Sequence, residues 1–257
     1  MAFLFEVVFE DDGLLVVNKP ADLVCHPTKT DAMSSLISRA RLHLGESSHP
    51  QLVNRLDRET SGLVLIAKTA PAARELRRVM EAREIGKEYL ALVHGHPGAD
   101  TGIIEASLGP AVNSAVAIKS GVCATGAPAR TDYQVEERLV RAEGAFACLR
   151  VRPHTGRKHP IRIHLAHVGH PIVGDKIYGP DEQLYLEFVT HRLTPERQRL
   201  LLLPCQALHA ERLRLVWQGQ EREFLAAPEP WFTAFRRGDR LPAEGDDHRE
   251  KQDRENP

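Results

Sequence analysis

The order of apolar runs along this chain predicts an α+β fold. Three observations carry that expectation. Segments with strand character outnumber those with helical spacing. The two kinds do not alternate regularly, as they would in a doubly wound sheet. No internal repeat appears along the chain.

Taken in order, Phe3 to Phe9 and Leu14 to Asn18 read as strands joined by an Asp-Asp-Gly turn. Met33 to Leu44 places Leu36, Ile37, Ala40 and Leu44 at helical spacing. Leu63 to Ala67 is a continuous apolar strand. Thr69 is set to cap a helix that has Pro71 in its first turn and reaches about Ala82. Tyr89 to Val93, Arg130 to Glu136 and Phe146 to Val151 are strands, and Pro153 ends the last. Pro160 fits the first turn of a short helix from Ile161 to Val168. Leu184 to Leu203 has helical spacing broken near Thr194-Pro195. Leu213 to Trp217 and Glu223 to Ala226 form a hairpin around Gly219, and Trp231, Phe232 and Phe235 give a final helix its apolar face. One folded domain over residues 1–235 is expected. The charged run 236–257, almost without apolar residues, reads as a disordered tail.

The chain has 257 residues, 42% apolar and 27% charged, which is ordinary for a globular protein. Its 34 Lys and Arg against 35 Asp and Glu give a net charge of −1. That disfavours a protein that coats nucleic acid along its whole surface and leaves room for a local basic cleft. Cys25, Cys123, Cys148 and Cys205 are widely spaced, with no CxxC pair. Four reduced thiols in a cytoplasmic protein are the expectation, with neither a disulfide framework nor a zinc ribbon. Neither a basic leader nor a long apolar span is present, so a membrane partner is not expected. With no exposed heptad, a monomer is expected.

The most informative stretch is Asn54-Arg55-Leu56-Asp57-Arg58-Glu59-Thr60-Ser61-Gly62, which leads into the strand at Leu63. It sets a carboxylate between two arginines at a loop-to-strand junction. There it stays ionised and can act as a nucleophile. Gly62 reads as a sharp turn before the strand. Three more runs accompany it: Leu14 to Pro20 with His26-Pro27, Lys87-Glu88-Tyr89-Leu90-Ala91-Leu92-Val93-His94-Gly95, and His154 to His167 continuing to Gly169-His170-Pro171-Ile172-Val173-Gly174-Asp175. Together, in this order and over residues 10 to 235, they resemble the motifs of the RluA family of RNA pseudouridine synthases. Asn54 stands where that family usually has His, Lys158 where it has Thr, and Pro160 where it has Gln.

The resemblance implies a large mixed, mainly antiparallel sheet with flanking helices and a central catalytic cleft. It implies isomerisation of uridines in structured RNA, a tRNA or rRNA stem-loop, without a metal or organic cofactor. Asp57 is the implied nucleophile, whether it attacks C1′ of the sugar, attacks C6 of the base, or stabilises charge. Arg162 is its implied ion-pair partner, and Tyr89 the residue that packs on the target base. Arg55 is placed to fill the space that a flipped uridine vacates. Arg58, Arg157, Lys158 and His159 are the further RNA-binding candidates. The family's extra N-terminal module of the S4 type is not expected here, since the chain opens on the catalytic motifs. From Gly144 to Gly174 there is no acid, yet Arg150, Arg152, Arg157, Lys158 and Arg162 lie inside, which reads as a phosphate-binding wall.

Three rival readings compete with this one. His164 and His167, three apart, could share a helix face and hold a metal, but no acid or cysteine lies near in sequence. A glycosidase needs two carboxylates, and Asp57 with Glu59 gives no assigned pair. An RNA-binding protein without catalysis suits Arg55, Tyr89 and the basic run, but not an aspartate within its full motif.

Overall fold

A computed structural model describes residues 5–27, 35–45 and 47–239. β1 (Glu6–Glu10) and β2 (Leu14–Lys19) form the first hairpin, and Asp11 closes its turn by accepting from Gly13 N and Leu14 N. α1 (Leu36–Leu44) is capped by the Ser35 hydroxyl; the start expected at Met33 lies outside the described residues. β3 (Gln51–Leu52) precedes β4 (Ser61–Ala67), every residue of which is buried. α2 (Ala70–Glu81) starts as predicted, with Thr69 Oγ1 accepting from Ala72 N and Pro71 in the first turn.

β5 (Gly86–His94), β6 (Thr101–Glu105), β7 (Leu108–Pro110) and β8 (Ser120–Val122) follow, then the long hairpin of β9 (Arg130–Arg141) and β10 (Gly144–Pro153). α3 (Pro160–His167) takes Pro160 as its first residue. The broken run resolves into α4 (Gln183–Val189) and α5 (Pro195–Arg199). β11 (Leu208–Trp217), β12 (Gln220–Leu225) and α6 (Pro230–Arg237) complete the chain.

Ten strands form one sheet in the order β1-β2-β4-β11-β5-β10-β9-β6, with β3 beside β4 and β12 beside β11. Among the described strands only β4 and β11 pair in parallel, so the sheet is mixed and mainly antiparallel. β7 and β8 pair separately.

Alternation along the central strands explains why helices cover both faces. Leu14, Val16, Leu63 and Leu65 point to the face covered by Ala72 and Leu76 of α2. Leu15, Val17, Val64 and Ile66 point to the other, against Leu36 and Ala40 of α1. A strand buried on both faces loses the apolar-polar alternation and reads as a continuous apolar run.

One boundary differs in detail and one expectation needs correction. The last helix runs past residue 235. α6 continues to Arg237, Arg236 pairs with Glu137 at 2.8 Å, and Arg141 donates to the Phe235 and Asp239 carbonyls. The rest of the expected tail lies outside the described residues. Gly62 is not a turn before the strand but lies within β4, opposite Ala210 of β11. With φ +111° and the Ala210 backbone where a Cβ would sit, it permits two backbones to approach closely.

Candidate active site

One transverse row of the sheet carries the centre of the molecule. Reading across it, Lys19 faces Gly62, Gly62 faces Ala210, Ala210 faces Tyr89, and Tyr89 faces Val151. A cleft of about 1200 Å³ opens over this row, and Asp57, Tyr89 and Arg162 all line it.

Asp57 sits in the loop between β3 and β4, and four side chains anchor that loop. Asn54 is buried; it donates to the Leu63 carbonyl at 3.2 Å and accepts from Leu65 N at 2.7 Å, tying the loop to the strand that follows. This local bridge is the work done by the residue that replaces the usual His. Lys19, fully buried, donates to the carbonyls of Pro20, Leu23 and Arg58 at 2.8 to 3.0 Å. Burial lowers its ammonium to about 8, while nearby groups including Asp57 oppose that fall. Lys176 binds Glu59 at 2.7 Å and the Pro204 carbonyl at 2.6 Å, and Gln206 donates to Thr60 Oγ1 at 2.6 Å.

Arg162 projects from the first turn of α3 and is buried. Its Nη1 donates to Asp57 Oδ2 at 2.8 Å. Its Nε and Nη2 grip both oxygens of Asp175, at 2.7 and 2.8 Å. Asp175 also accepts from Ile177 N and Tyr178 N. Burial alone would raise the Asp175 carboxyl, but Arg162 and those two amides hold it below its ordinary value. The guanidinium lies over the Tyr178 ring, 4.9 Å from its centroid.

His159 caps α3 from the left-handed region, at φ +51°. The turn brings its Nε2 to 3.5 Å from Asp57 Oδ1 and its Nδ1 to 3.0 Å from the Tyr178 hydroxyl. Tyr178 oxygen accepts from Ser120 N at 3.2 Å, so its own proton is free to go to His159 Nδ1. Burial pushes the His159 imidazole well below its ordinary value, and the Asp57 charge only partly opposes this. It is neutral at pH 7, with Nε2–H towards Asp57.

Tyr89 is half-buried between the apolar clusters of the two central sheet regions. Burial first, and the Asp57 charge second, raise its hydroxyl far above the ordinary value, so it is a phenol at neutral pH.

The structure thus brings Asp57, Arg162, Tyr89 and His159 together, and spreads the other sequence-predicted residues along the rim. Arg55 is exposed and lines the cleft, with no hydrogen bond or ion pair among the described residues. Arg58 is turned to Asp22, at 2.7 Å. Arg157 and Lys158 line the cleft while donating to the carbonyls of Pro128 and Ile118.

The acid-free run is not an unpaired wall. Arg150 is bound by Glu88, Glu136 and Glu211, and Arg152 by Glu88, acids on the neighbouring strands β5, β9 and β11. Sequence distance hid them. Basic residues still dominate the cleft, nine Lys and Arg against three Asp and Glu, and Arg83, Lys87, Arg212 and Arg214 belong to it.

The rivals lose their residues. His164 donates through Nε2 to the Ala106 carbonyl and holds Thr131 Oγ1 through Nδ1, so both ring nitrogens are engaged. Among the described residues no group of three His, Cys, Asp or Glu is arranged to hold a metal. Glu59 is committed to Lys176 beneath the loop and does not form a carboxylate pair with Asp57 across the cleft.

Sequence reasoning assigned no role to Lys19, Asp175, Lys176, Tyr178 or Gln206. The run Gly174-Asp175-Lys176-Ile177-Tyr178-Gly179 was the available signal, because it packs an acid and an aromatic between two glycines at the end of the motif that runs from His154 to Asp175.

The RNA pseudouridylate synthase family model matches residues 13–167, and the chain belongs to that family. It is 34% identical to the ribosomal large subunit pseudouridine synthase D of Salmonella typhimurium, over 96% of this chain and 74% of that protein. It is 36% identical to the protein of the same name in Nitrosomonas europaea, over 83% and 58%. An uncharacterized RNA pseudouridine synthase of Chlorobaculum parvum is 38% identical, over 81% and 65%. Human RNA pseudouridylate synthase domain containing 1 shares the fold, with a TM-score of 0.72 at 24% identity, over 98% of this chain and 96% of that one. Among the described residues no helix is long and apolar enough to cross a membrane.

Proposed function

We propose that the protein converts uridines of structured RNA to pseudouridine with Asp57 as the reacting carboxylate. Large-subunit ribosomal RNA is the favoured substrate and tRNA the alternative. The observation that carries this reading is the Asp57–Arg162 contact of 2.8 Å on the floor of a basic cleft. Arg162 occupies Oδ2 and holds the carboxylate in a fixed orientation. Oδ1 is left facing the neutral His159 and the cleft.

The target uridine leaves its stack and enters the cleft, and Arg55, exposed two residues before Asp57, takes the vacated place. The base stacks on the Tyr89 ring. The N1–C1′ bond breaks, the base turns, C5 bonds to C1′, and the hydrogen of C5 leaves as a proton while N1 gains one. No redox change occurs and no outside group is added. Tyr89 enters this sequence as a phenol, able to pack and donate, not as a phenolate base. The catalytic domain takes in α6, and the protein works as a cytoplasmic monomer, in keeping with four free thiols.

The test is tritium release from RNA labelled at C5 of uridine, with EDTA present, on unmodified rRNA and tRNA. Release by the wild type and none by Asp57→Ala supports the reading. Equal release by the two proteins overturns the role of Asp57, and release from neither RNA overturns the substrate class. Gel filtration tests the monomer.

A further inference from the structure

Most arginines of the cleft and its walls are already neutralised. Arg58, Arg150, Arg152, Arg162, Arg212 and Arg214 each have a carboxylate partner within the protein. An arginine so paired gains little from a phosphate, because it must give up one anion to take another. α2 is different. It buries Ala72, Ala73, Leu76 and Val79 against the sheet. The opposite stripe, at spacing i, i+3, i+4 and i+7, is Arg74, Arg77, Arg78 and Glu81.

All three arginines are exposed. Arg77 donates only to the neutral amide of Gln51, and Arg74 and Arg78 have no side-chain partner among the described residues. The acids nearby, Glu75 and Glu81 on α2 and Glu84 just after it, form no ion pair with them. The stripe ends at the cleft, which Glu81 and Arg83 line. Arg83, held at φ +59° in the turn after the helix, is likewise exposed and unpaired. Unpaired positive charge therefore lies inside the cleft at Arg55, Arg157 and Lys158, and continues past Arg83 along the outside of α2.

We propose that the outward face of α2, through Arg74, Arg77 and Arg78, binds the RNA backbone of the substrate outside the cleft. This rests on the reading of the chain as an RNA-modifying enzyme. Charge complementarity and continuity with the cleft select the occupant: a phosphate chain that leaves the cleft past Arg83 meets three arginines that no carboxylate holds in an ion pair. Contacts of this kind carry no sequence information; they add affinity and fix register.

The test is filter binding of an in-vitro transcript of large-subunit rRNA over a series of salt concentrations. The wild type is compared with a triple variant, Arg74→Gln with Arg77→Gln and Arg78→Gln. Glutamine keeps the helix and removes the charge. The expected result is a salt slope shallower by about 2 to 3, close to one unit per lost phosphate contact, with binding at least about tenfold weaker at 0.1 M salt. In the tritium assay KM rises and kcat holds. A control, Arg192→Gln with Arg199→Gln, removes exposed charge elsewhere and leaves the slope unchanged.

A triple variant with the wild-type slope overturns the proposal, as does a control that loses as much. Failure of the wild type to release tritium overturns the functional reading instead and leaves the binding comparison intact.

Discussion

Lys176 Nζ lies 2.7 Å from Glu59 Oε1, joining the residue two after Asp57 to the residue one after Asp175. The Asp57 loop and the Asp175 turn are therefore tied twice, through Arg162 above and through this buried pair below. Burial raises the Glu59 carboxyl, and Lys176 is the main group opposing it.

Removing only the cation leaves a buried carboxylate without its partner. Lys176→Met is expected to cost about 3–5 kcal/mol in urea denaturation. The double variant Lys176→Met with Glu59→Gln should recover most of that loss, since no unpaired charge remains. Equal destabilisation in the single and double variants would show that the pair does not act as a unit.

Arg162→Lys keeps the charge but not the fork. Lysine has one nitrogen for a site where three guanidinium nitrogens bind two aspartates. The rate of tritium release should fall about 10²- to 10³-fold, while RNA binding, read by filter retention, changes little. A fall in binding as large as the fall in rate would mean that Arg162 serves RNA and not Asp57.

The sequence made the central strands legible because each buries a continuous apolar run, as at Leu63 to Ala67. Caps were legible where one residue decides them, as at Thr69 and Pro160. β6 was not, because Ile104 is its only buried residue and no alternation survives. β11 begins at Leu208, five residues before the expected Leu213, because its first half pairs between β4 and β5 with mixed residues such as His209. In the site, Asp57, Tyr89 and Arg162 came from motif resemblance, and the geometry joins all three in one cleft. The pairing of Arg150 with Glu88 and Glu211 was out of reach, since it depends on which strands become neighbours.

Gly62 is where the loop of Asp57 and the sheet meet. Gly62→Ala must place a Cβ against the Ala210 backbone from a left-handed φ. A loss of about 3 kcal/mol is expected in urea denaturation. Activity should drop even where the protein is still folded, because the start of β4 moves and takes Asp57 with it. An alanine variant with wild-type stability would contradict the close β4–β11 approach.

His164 and His209 give the molecule its expected response to acid. Each has Nε2 on a carbonyl, of Ala106 and Ala226, which can only accept, so Nε2 carries the proton. Each Nδ1 is then a lone pair, and the hydroxyls of Thr131 and Ser61 donate to it. Both rings are satisfied in the neutral form, and burial lowers the pKa of both below 6.5, as it does for His94 and His159. Below pH 6.5 the unfolded chain binds protons that the folded chain refuses. Their stabilisation is therefore complete above pH 6.5 and is lost as pH falls towards the folded-state values. Glu59, with its raised carboxyl, works in the opposite direction and softens the loss. The urea midpoint should fall steadily from pH 7 to pH 5. The double variant His164→Gln with His209→Gln, less stable at pH 7, should show a distinctly shallower fall, because glutamine keeps a donor and an acceptor but takes up no proton. A variant as steep as the wild type would move the acid response to other groups.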